Sequence, residues 1–421
     1  MGRPLRIALI SPHAAGLFGL STRPFGGAET QAATLATALA ARDDCEVSLV
    51  VESVLGRSRR IGRLNLVVIP DRLPALRRQL DREVRLSRRL PFVRPVRPKW
   101  TTLPKLAAIA AAKPLAKRWR GWIEAFPADV VVLFGVSRET ADWCRRRERT
   151  VLHLISGQDV VPEWNDLGYV SPYGDPATVC RPLFADATCI VAQHELQRQA
   201  VREHFGREAT IVTNPIDLEI WKPRQLPRTA DVLWIGRSDT IYKRPRLALE
   251  LAQRTPDLKW TMVMNLHVAE IDREIRERAS GNVRILTSVP FAEMPALFAS
   301  HGVFVTTGSK ELEGLPNVLL QATAVGTPIV SLGAGDHVLS VTAGGIVDED
   351  LDGAAAAIRR LSRGELGLID LSAARQRLSD RYSAAAVADR LLDVLRQAAG
   401  GAPNPGDFWP NGRSLDGPPL G

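Results

Sequence analysis

The chain has 421 residues, of which 45% are hydrophobic and 24% charged. This composition is ordinary for a soluble globular enzyme, and the length suits two domains of roughly 150–200 residues each. No segment reaches the roughly 20 apolar residues of a membrane span, and the four cysteines show neither paired spacing nor a C-x-x-C, which argues against disulfides and zinc. The first apolar run, Leu5 to Ile10, is too short for a signal-peptide core, so a reducing, cytoplasmic location is expected.

The first half of the chain predicts a parallel, doubly wound sheet. A strand at 6–10, a glycine-bearing loop, a helix at about 28–41 and a strand at 46–51 form a β-loop-α-β unit. Further strands are predicted at 130–134, 151–155 and 187–191, and further helices at 140–149 and 194–205. Residues 1–212 are therefore expected to form an N-terminal Rossmann-like domain.

The net charge of +9 comes from one segment. Residues 72–120 contain fifteen Lys or Arg and two acids, so the remaining residues together carry −4. Within 72–122 the cations alternate with leucine and aromatic residues, which favours an interfacial surface on anionic lipid, where each cation contributes about 1 kcal/mol. The alternative is a solvated basic face, or a mobile loop that packs on the N-terminal domain. No nucleic-acid-binding motif accompanies the charge, so nucleic acid is not an expected partner.

A proline-rich stretch separates the two halves of the chain. Residues 213–227, which begin Thr213-Asn214-Pro215-Ile216-Asp217, predict an interdomain linker. A second sheet follows, with strands at 231–236, 260–264 and 283–286 and helices at 246–254 and 293–299. Residues 228–382 are therefore expected to form a second Rossmann-like domain.

Two segments follow the second domain. The helix predicted at 383–399 is amphipathic and is expected to pack back across the domain interface. Residues 400–421 are dominated by Gly, Pro, Asn and Asp, which predicts a disordered tail.

The most informative stretch is 313–330, which reads Glu-Gly-Leu-Pro-Asn-Val-Leu-Leu-Gln-Ala-Thr-Ala-Val-Gly-Thr-Pro-Ile-Val. Glu313 lies in a turn with Gly314, Pro316 is tolerated in a first helical turn, and Gly326 ends the helix. Apolar runs on either side, at 303–305 and 329–332, supply the flanking strands. This strand-loop-helix-strand unit presents a helix N-terminus to a crevice, which is a natural place for a phosphate.

Two other local features are expected to face the same crevice. Gly26-Gly27-Ala28-Glu29 follows the first strand and opens the first helix, so backbone amides there can approach a phosphate closely. Glu29 also suits a helix cap, because acids favour the first turn. Arg237 and Lys243 follow the first strand of the second domain, where two cations can bind a diphosphate.

Together these motifs resemble the retaining glycosyltransferases of family 4. The matching features are Gly26-Gly27-Ala28-Glu29, Gly236-Arg237 with Lys243, and Glu313-Gly314 through Gly326-Thr327-Pro328; Asn214-Pro215-Ile216-Asp217 resembles the family's linker. The resemblance covers most of residues 5–398. It implies an α/β chain with the GT-B architecture, in which two doubly wound Rossmann-like domains face each other across a cleft.

The resemblance also implies roles for the donor-site residues. Arg237 and Lys243 would bind the donor diphosphate and stabilise the charge that develops on it as the leaving group. Glu313 would hydrogen-bond the donor sugar, and the backbone amides of Leu315 and Asn317 would face the phosphates. Glu311 is a rival for the acidic role, but Glu313 is favoured because it directly precedes the glycine.

Three further residues complete the expected site. Gly27 would let the first loop approach the donor or acceptor, and His153 would match the family's active-site histidine. The family carries a second glutamate eight residues after the first, where this chain has Gln321. A glutamine still donates and accepts hydrogen bonds to ribose hydroxyls but carries no charge.

The expected activity is transfer of a hexose from a nucleoside-diphosphate sugar to an acceptor hydroxyl, with a glycan or a lipid-linked sugar as acceptor in polysaccharide or glycolipid synthesis at the inner face of a membrane. A catalytically weak binding or assembly partner is the main alternative, and an epimerase or phosphorylase is a third. Asp348-Glu349-Asp350 offers a D-x-D string for Mg²⁺, but its place between a strand and a helix indicates capping and solvation. The resemblance implies no metal and no cofactor besides the sugar nucleotide.

Overall fold

The computed structural model describes residues 3–21, 25–53, 56–69, 121–224, 227–333, 346–348, 350–365 and 370–400. Of the basic segment 72–122, residues 72–120 lie outside the described residues, and so do Glu349 and the tail from residue 401. Among the described residues no helix is long and apolar enough to span a bilayer.

The N-terminal domain is built on a sheet of eight described strands in the order β3-β4-β2-β1-β5-β6-β7-β8. All neighbouring pairs are parallel except β3 and β4. The strands are β1 (Leu5–Ile10), β2 (Cys45–Glu52), β3 (Arg59–Ile61), β4 (Leu64–Ile69), β5 (Val130–Phe134), β6 (Thr150–His153), β7 (Cys189–Ala192) and β8 (Thr210–Ile211). The described α-helices of this domain are α1 (Gly27–Ala40), α2 (Arg138–Cys144), α3 (Ala177–Cys180), α4 (Pro182–Asp186) and α5 (Glu195–Phe205).

Both faces of this sheet are covered, which explains why its central strands are continuous apolar runs. Every residue of β5 is buried, as expected for a parallel strand with helices on both sides. One face packs against Leu35 and Leu39 of α1. The opposite face packs against Trp143 and Phe184.

The C-terminal domain repeats this plan with a sheet of six described strands in the order β11-β10-β9-β12-β13-β14, all parallel. The strands are β9 (Val232–Arg237), β10 (Trp260–Asn265), β11 (Val283–Leu286), β12 (Val303–Thr306), β13 (Ile329–Leu332) and β14 (Ile346–Asp348). The helices are α6 (Pro245–Arg254), α7 (Ala269–Arg278), α8 (Met294–Ser300), α9 (Asn317–Val325), α10 (Leu351–Ser362) and α11 (Leu371–Tyr382). Helices α6 and α10 pack on one face of the sheet, and α8, α9 and α11 on the other.

The chain passes between the domains twice, and the two passages lie side by side. Ile216 in the linker donates its N–H to the carbonyl of Tyr382 at 2.7 Å, and Ala384 donates to the carbonyl of Ile216 at 3.0 Å. Helix α12 (Ala384–Ala398) then places Leu391 and Leu395 in the core beside α1 of the N-terminal domain. The last helix that the structure describes thus packs as part of the first domain.

One predicted helix, 140–149, is wrong at its C-terminal end. The helix ends at Cys144 with Arg145 as its C-cap. The guanidinium of Arg147 instead donates to the carbonyls of Glu124 and Phe126 at 2.9 and 3.0 Å. Satisfying these carbonyls fixes the turn that leads into β6 and outweighs the helical propensity of the arginine run.

Candidate active site

The strand order of the second sheet determines where its binding loops meet. The chain runs from β9 to β10 and β11 on one side and returns through β12 to β13 on the other. Ligands of open parallel sheets bind outside the carboxyl ends of the strands at such a switch point. Arg237 is the last residue of β9, the loop after β9 carries Lys243, and the loop after β12 carries Glu313. The topology therefore brings the three predicted donor residues to one place.

Asp239 organises the loop after β9. Its buried carboxylate accepts the N–H groups of Ile241, Tyr242 and Lys243 at 3.1, 2.6 and 3.1 Å on Oδ1. Its Oδ2 accepts Arg237 Nε at 2.6 Å. One carboxylate therefore fixes both the turn that carries Lys243 and the direction of the Arg237 guanidinium.

Lys243 and Glu313 form an ion pair with Nζ and Oε1 at 2.6 Å. Glu313 is buried, and burial raises the pKa of its carboxyl while Lys243 partly offsets that effect. Within the part of the chain that the structure describes, Oε2 of Glu313 receives no hydrogen bond. A buried carboxylate oxygen without a donor is costly to leave in place, and it can accept a hydrogen bond from a sugar hydroxyl.

Arg244 connects the two binding loops. It has a positive φ of 48°, which is uncommon for a residue other than glycine. Its Nε donates to the carbonyl of Thr307 at 2.6 Å, and its Nη2 to the carbonyls of Gly308 and Leu332 at 2.8 and 3.0 Å. These bonds hold the carboxyl ends of β12 and β13 against the Lys243 loop.

The Glu313 loop closes directly on the N-terminal domain. Glu313 forms an antiparallel bridge with Ser156, and Gly157 donates its N–H to the carbonyl of Leu312 at 3.0 Å. A methyl group at Gly157 would lie 1.8 Å from the carbonyl oxygen of Glu311, and one at Gly314 would lie 1.9 Å from Oε1 of Gln193. Only glycine allows the two domains to approach so closely here.

His153 begins a chain of four buried hydrogen bonds across the same interface. The contact of His153 Nδ1 with the carbonyl of Leu154 at 3.0 Å makes Nδ1 the protonated nitrogen, so Nε2 accepts from Gln31 Nε2 at 3.3 Å. Gln193 then donates to Oε1 of Gln31 at 3.1 Å and accepts the N–H of Leu315 at 2.9 Å. His153 is fully buried, and burial lowers its pKa to about 4, so the imidazole is neutral.

A second set of polar contacts holds Asn317 and Gly27 together. Asn317 Nδ2 donates to the carbonyl of Gly27 at 2.9 Å, and Asn214 of the linker donates to Asn317 Oδ1 and to the carbonyl of Leu315, both at 2.7 Å. The turn that contains Gly27, the linker and the start of α9 thus meet at one point.

The remaining predicted residues lie around these contacts. Gln321 is partly exposed on α9, one helical turn after Asn317. Glu311 is exposed and accepts a hydrogen bond from Ser309 Oγ at 3.1 Å, whereas Glu313 pairs with Lys243. Glu29 caps α1 by accepting the N–H of Gly26 at 2.8 Å. Asp350 caps α10 by accepting the N–H groups of Asp352 and Gly353, both at 2.8 Å.

The comparisons with known proteins agree with this geometry. Residues 229–363 match the family model described as glycosyl transferases group 1. The chain is similar in structure to sucrose-phosphate synthase from Thermosynechococcus elongatus, with a TM-score of 0.68, 16% identity, and coverage of 93% of this chain and 98% of that one. It is also similar to HepE from Anabaena in complex with UDP and glucose, with a TM-score of 0.64, 14% identity, and coverage of 93% and 100%. No curated protein matches the sequence significantly.

This chain has the GT-B fold. The prediction of an α/β architecture with two Rossmann-like domains is confirmed by the two parallel sheets and by these structural similarities. Residues 229–363 of the GT-B chain match the model of group 1 glycosyl transferases, and together with the structural similarities this confirms the prediction of a transferase enzyme. A mutant of TarM from S. aureus, solved with fondaparinux, alpha-GlcNAc-glycerol and UDP, is a third similar structure, with a TM-score of 0.62, 11% identity, and coverage of 93% and 99%.

Sequence reasoning missed several residues that position the site of this GT-B chain. Asp239 follows Arg237 by two residues, and an aspartate just after a strand is a recognisable signal for a side chain that caps a turn. Gln31 and Gln193 gave no such signal, because their partners lie 122 or more residues away.

Proposed function

We propose that this protein is a retaining glycosyltransferase of family 4 that transfers a hexose from a nucleoside-diphosphate sugar to an acceptor hydroxyl. The observation that supports this most directly is the convergence of Arg237, Lys243 and Glu313 at the switch point of the second sheet. Two cations suit a diphosphate, and a buried acceptor oxygen between them and the N-terminal domain suits a sugar hydroxyl.

The two cations are proposed to supply most of the rate enhancement. When the bond between the sugar and the diphosphate breaks, negative charge grows on the leaving phosphate. Fixed positive groups aimed at that charge stabilise the transition state without reorganising. Asp239 fixes Arg237, and the Glu313 ion pair fixes Lys243. Because these groups carry the positive charge, we propose that no metal ion is needed, and that EDTA leaves turnover unchanged.

Retention follows in this proposal from the use of one face of the sugar. A phosphate oxygen of the donor accepts the proton of the acceptor hydroxyl on the side from which the leaving group departs, so no protein base is required. The catalytic role of His153 stays a prediction. In this conformation its imidazole contacts Gln31 and the carbonyl of Leu154, so it would act as a neutral group that holds the cleft in place.

The acceptor is proposed to be a glycan or a lipid-linked sugar at the inner face of a membrane, because of the basic segment 72–122. Four Arg→Gln changes at Arg77, Arg78, Arg88 and Arg89 should largely abolish co-sedimentation with vesicles that contain anionic lipid, since each cation contributes about 1 kcal/mol. The same number of changes among exposed arginines of other segments is the matched control. Equal binding to purely zwitterionic vesicles would contradict the interfacial role.

Turnover with a panel of nucleoside-diphosphate sugars tests the enzymatic proposal. The assay measures release of nucleoside diphosphate with water or a simple glycoside as acceptor, and NMR of the product reports its anomeric configuration. The proposal predicts turnover with at least one donor and a product with the donor's configuration. An inverted product would contradict retention.

A catalytically weak binding or assembly partner is the second candidate. Gln321 supports it, because the family's second glutamate is missing there. This candidate predicts that a donor raises the melting temperature but that no panel member is turned over. If Gln321→Glu restores turnover to such a protein, the glutamine at position 321 is the cause of its weak activity.

A further inference from the structure

Tyr173 lies at the tip of a tight turn in the N-terminal domain. Gly174 donates its N–H to the carbonyl of Ser171 at 2.8 Å, which closes a four-residue turn with Pro172 at its second position. The N–H of Ser171 donates to the carbonyl of Asp175 at 2.8 Å, and Asp175 in turn accepts the N–H of Arg138 at 3.0 Å. The base of the turn is therefore fixed to the start of α2, and the Tyr173 side chain is held at a defined place.

From this tip Tyr173 reaches across the cleft to Arg237 of the other domain. Arg237 Nη2 donates to the hydroxyl oxygen of Tyr173 at 2.8 Å. The guanidinium carbon lies 4.8 Å from the ring centre of Tyr242 and 6.0 Å from that of Tyr173, within reach of a cation–π contact. Tyr173 is nevertheless 55% exposed, so a ligand in the cleft can reach it.

The direction of this hydrogen bond leaves a donor for a ligand. A guanidinium can only donate, so the phenol oxygen is the acceptor and the phenol keeps its own O–H. Asp239 holds Arg237 from the other side at Nε. An anion that binds the outer N–H groups of Arg237 would therefore lie within reach of the Tyr173 hydroxyl.

We infer that Tyr173 is a binding residue for the donor diphosphate, contributed by the N-terminal domain to the phosphate site of the C-terminal domain. This inference rests on the proposed function in that Arg237 binds the diphosphate. It adds a contact that forms only when the two domains are closed, because Tyr173 and Arg237 lie on opposite sides of the cleft. The leaving group thus stabilises the closed state through Tyr173.

Titration with inorganic pyrophosphate tests the inference without any knowledge of the sugar, base or acceptor. Tyr173→Phe keeps the ring beside Arg237 and removes only the hydroxyl. The expected result is an affinity for pyrophosphate reduced about ten-fold or more, as for loss of a hydrogen bond to a charged group. Tyr169→Phe is the matched control, because the Tyr169 hydroxyl bonds to Gln158 at 2.6 Å; this variant should bind pyrophosphate like the wild type.

The outcomes separate this inference from the proposed function. If wild type and Tyr173→Phe bind pyrophosphate equally, while Arg237→Ala does not bind, the role of Tyr173 is overturned and the diphosphate site stands. If the wild type binds no pyrophosphate, the inference is overturned together with that site. Melting temperatures of both Phe variants close to that of the wild type establish that the change in affinity does not come from unfolding.

Discussion

His153 shows at the level of one residue how burial determines chemistry at the interface. Its ring stacks on Phe134 with centroids 5.0 Å apart, and both ring nitrogens are engaged with neighbouring groups. Protonation would place a charge where Gln31 now donates to Nε2, and that arrangement would have to break. The buried histidine therefore links the protonation state of the chain to closure of the two domains.

A dependence of stability on pH follows. Burial holds the pKa of His153 at about 4, below its ordinary 6.5, so the unfolded chain binds more protons between these values. The stabilisation is fully present above about pH 6.5 and is lost as the pH falls to about 4, by roughly 3 kcal/mol in all. Burial raises the pKa of Glu313, which acts with the opposite sign, so a comparison of variants is needed.

His153→Gln should flatten the dependence of the unfolding free energy on pH between 6.5 and 4, measured by denaturant titration. His13→Gln, which removes an exposed histidine in place of a buried one, is the control. If His153→Gln kept the full wild-type slope, the slope would have to come from other groups.

At the residue scale, the charged groups of the site are easier to predict from the sequence than the side chains that hold them in position. Arg237, Lys243 and Glu313 follow buried strands, and topology then brings such residues together. Gln193 follows a strand in the same way, but nothing local shows that its side chain accepts the N–H of Leu315 from the other domain. Contacts between distant segments depend on how the domains dock, which a periodic pattern does not encode.

At the scale of elements, the turn that begins with Gly157 and the Glu313 loop form one backbone-to-backbone contact. Asp159 fixes the N-terminal side by accepting the N–H groups of Ile155 and Ser156 at 2.7 and 3.0 Å on Oδ2. The Lys243 ion pair fixes the C-terminal side. Both surfaces are therefore rigid, and there is no flexible side chain to move aside.

Gly157→Ala should prevent this closure and leave each domain folded. The added methyl would lie 1.8 Å from a backbone oxygen, whereas a methyl at Gly281 meets nothing within 4 Å. Turnover should fall about 100-fold, the typical effect of a misplacement of about 1 Å in a reacting geometry. Small-angle scattering should show a larger radius of gyration than for wild type or Gly281→Ala. A compact, fully active Gly157→Ala protein would contradict the role of this contact.

The elements that periodicity predicted are those buried on one or both faces. The strands at 130–134, 283–286 and 329–332 have the predicted bounds. By contrast, every residue of β3 is exposed, and α7 has only Ile275 buried. Such elements carry few apolar residues from which a pattern can be recognised, because neighbouring strands and ion pairs also hold them in place.

At the scale of the whole molecule, the two sheets are joined by a linker and a returning helix that touch each other at Ile216 and Ser383. The two passages of the chain between the domains therefore lie side by side at this point. The buried glutamine chain and the Gly157 contact lie where the domains close. A donor diphosphate bound by Arg237 and Lys243 would lie among these contacts, so we expect binding to stabilise the closed arrangement of the domains.

The central claim is that Arg237 and Lys243 form the diphosphate site of a glycosyltransferase. Calorimetric titration with UDP, GDP, ADP and TDP tests it most directly, because it needs neither the sugar nor the acceptor. Arg237→Ala and Lys243→Ala are compared with Arg246→Ala, whose exposed guanidinium pairs with Glu274 on the surface. We expect at least one nucleoside diphosphate to bind the wild type and Arg246→Ala equally, and to bind each of the other two variants about 10- to 150-fold more weakly. Equal affinity of all four proteins, or no binding by the wild type, would contradict the account.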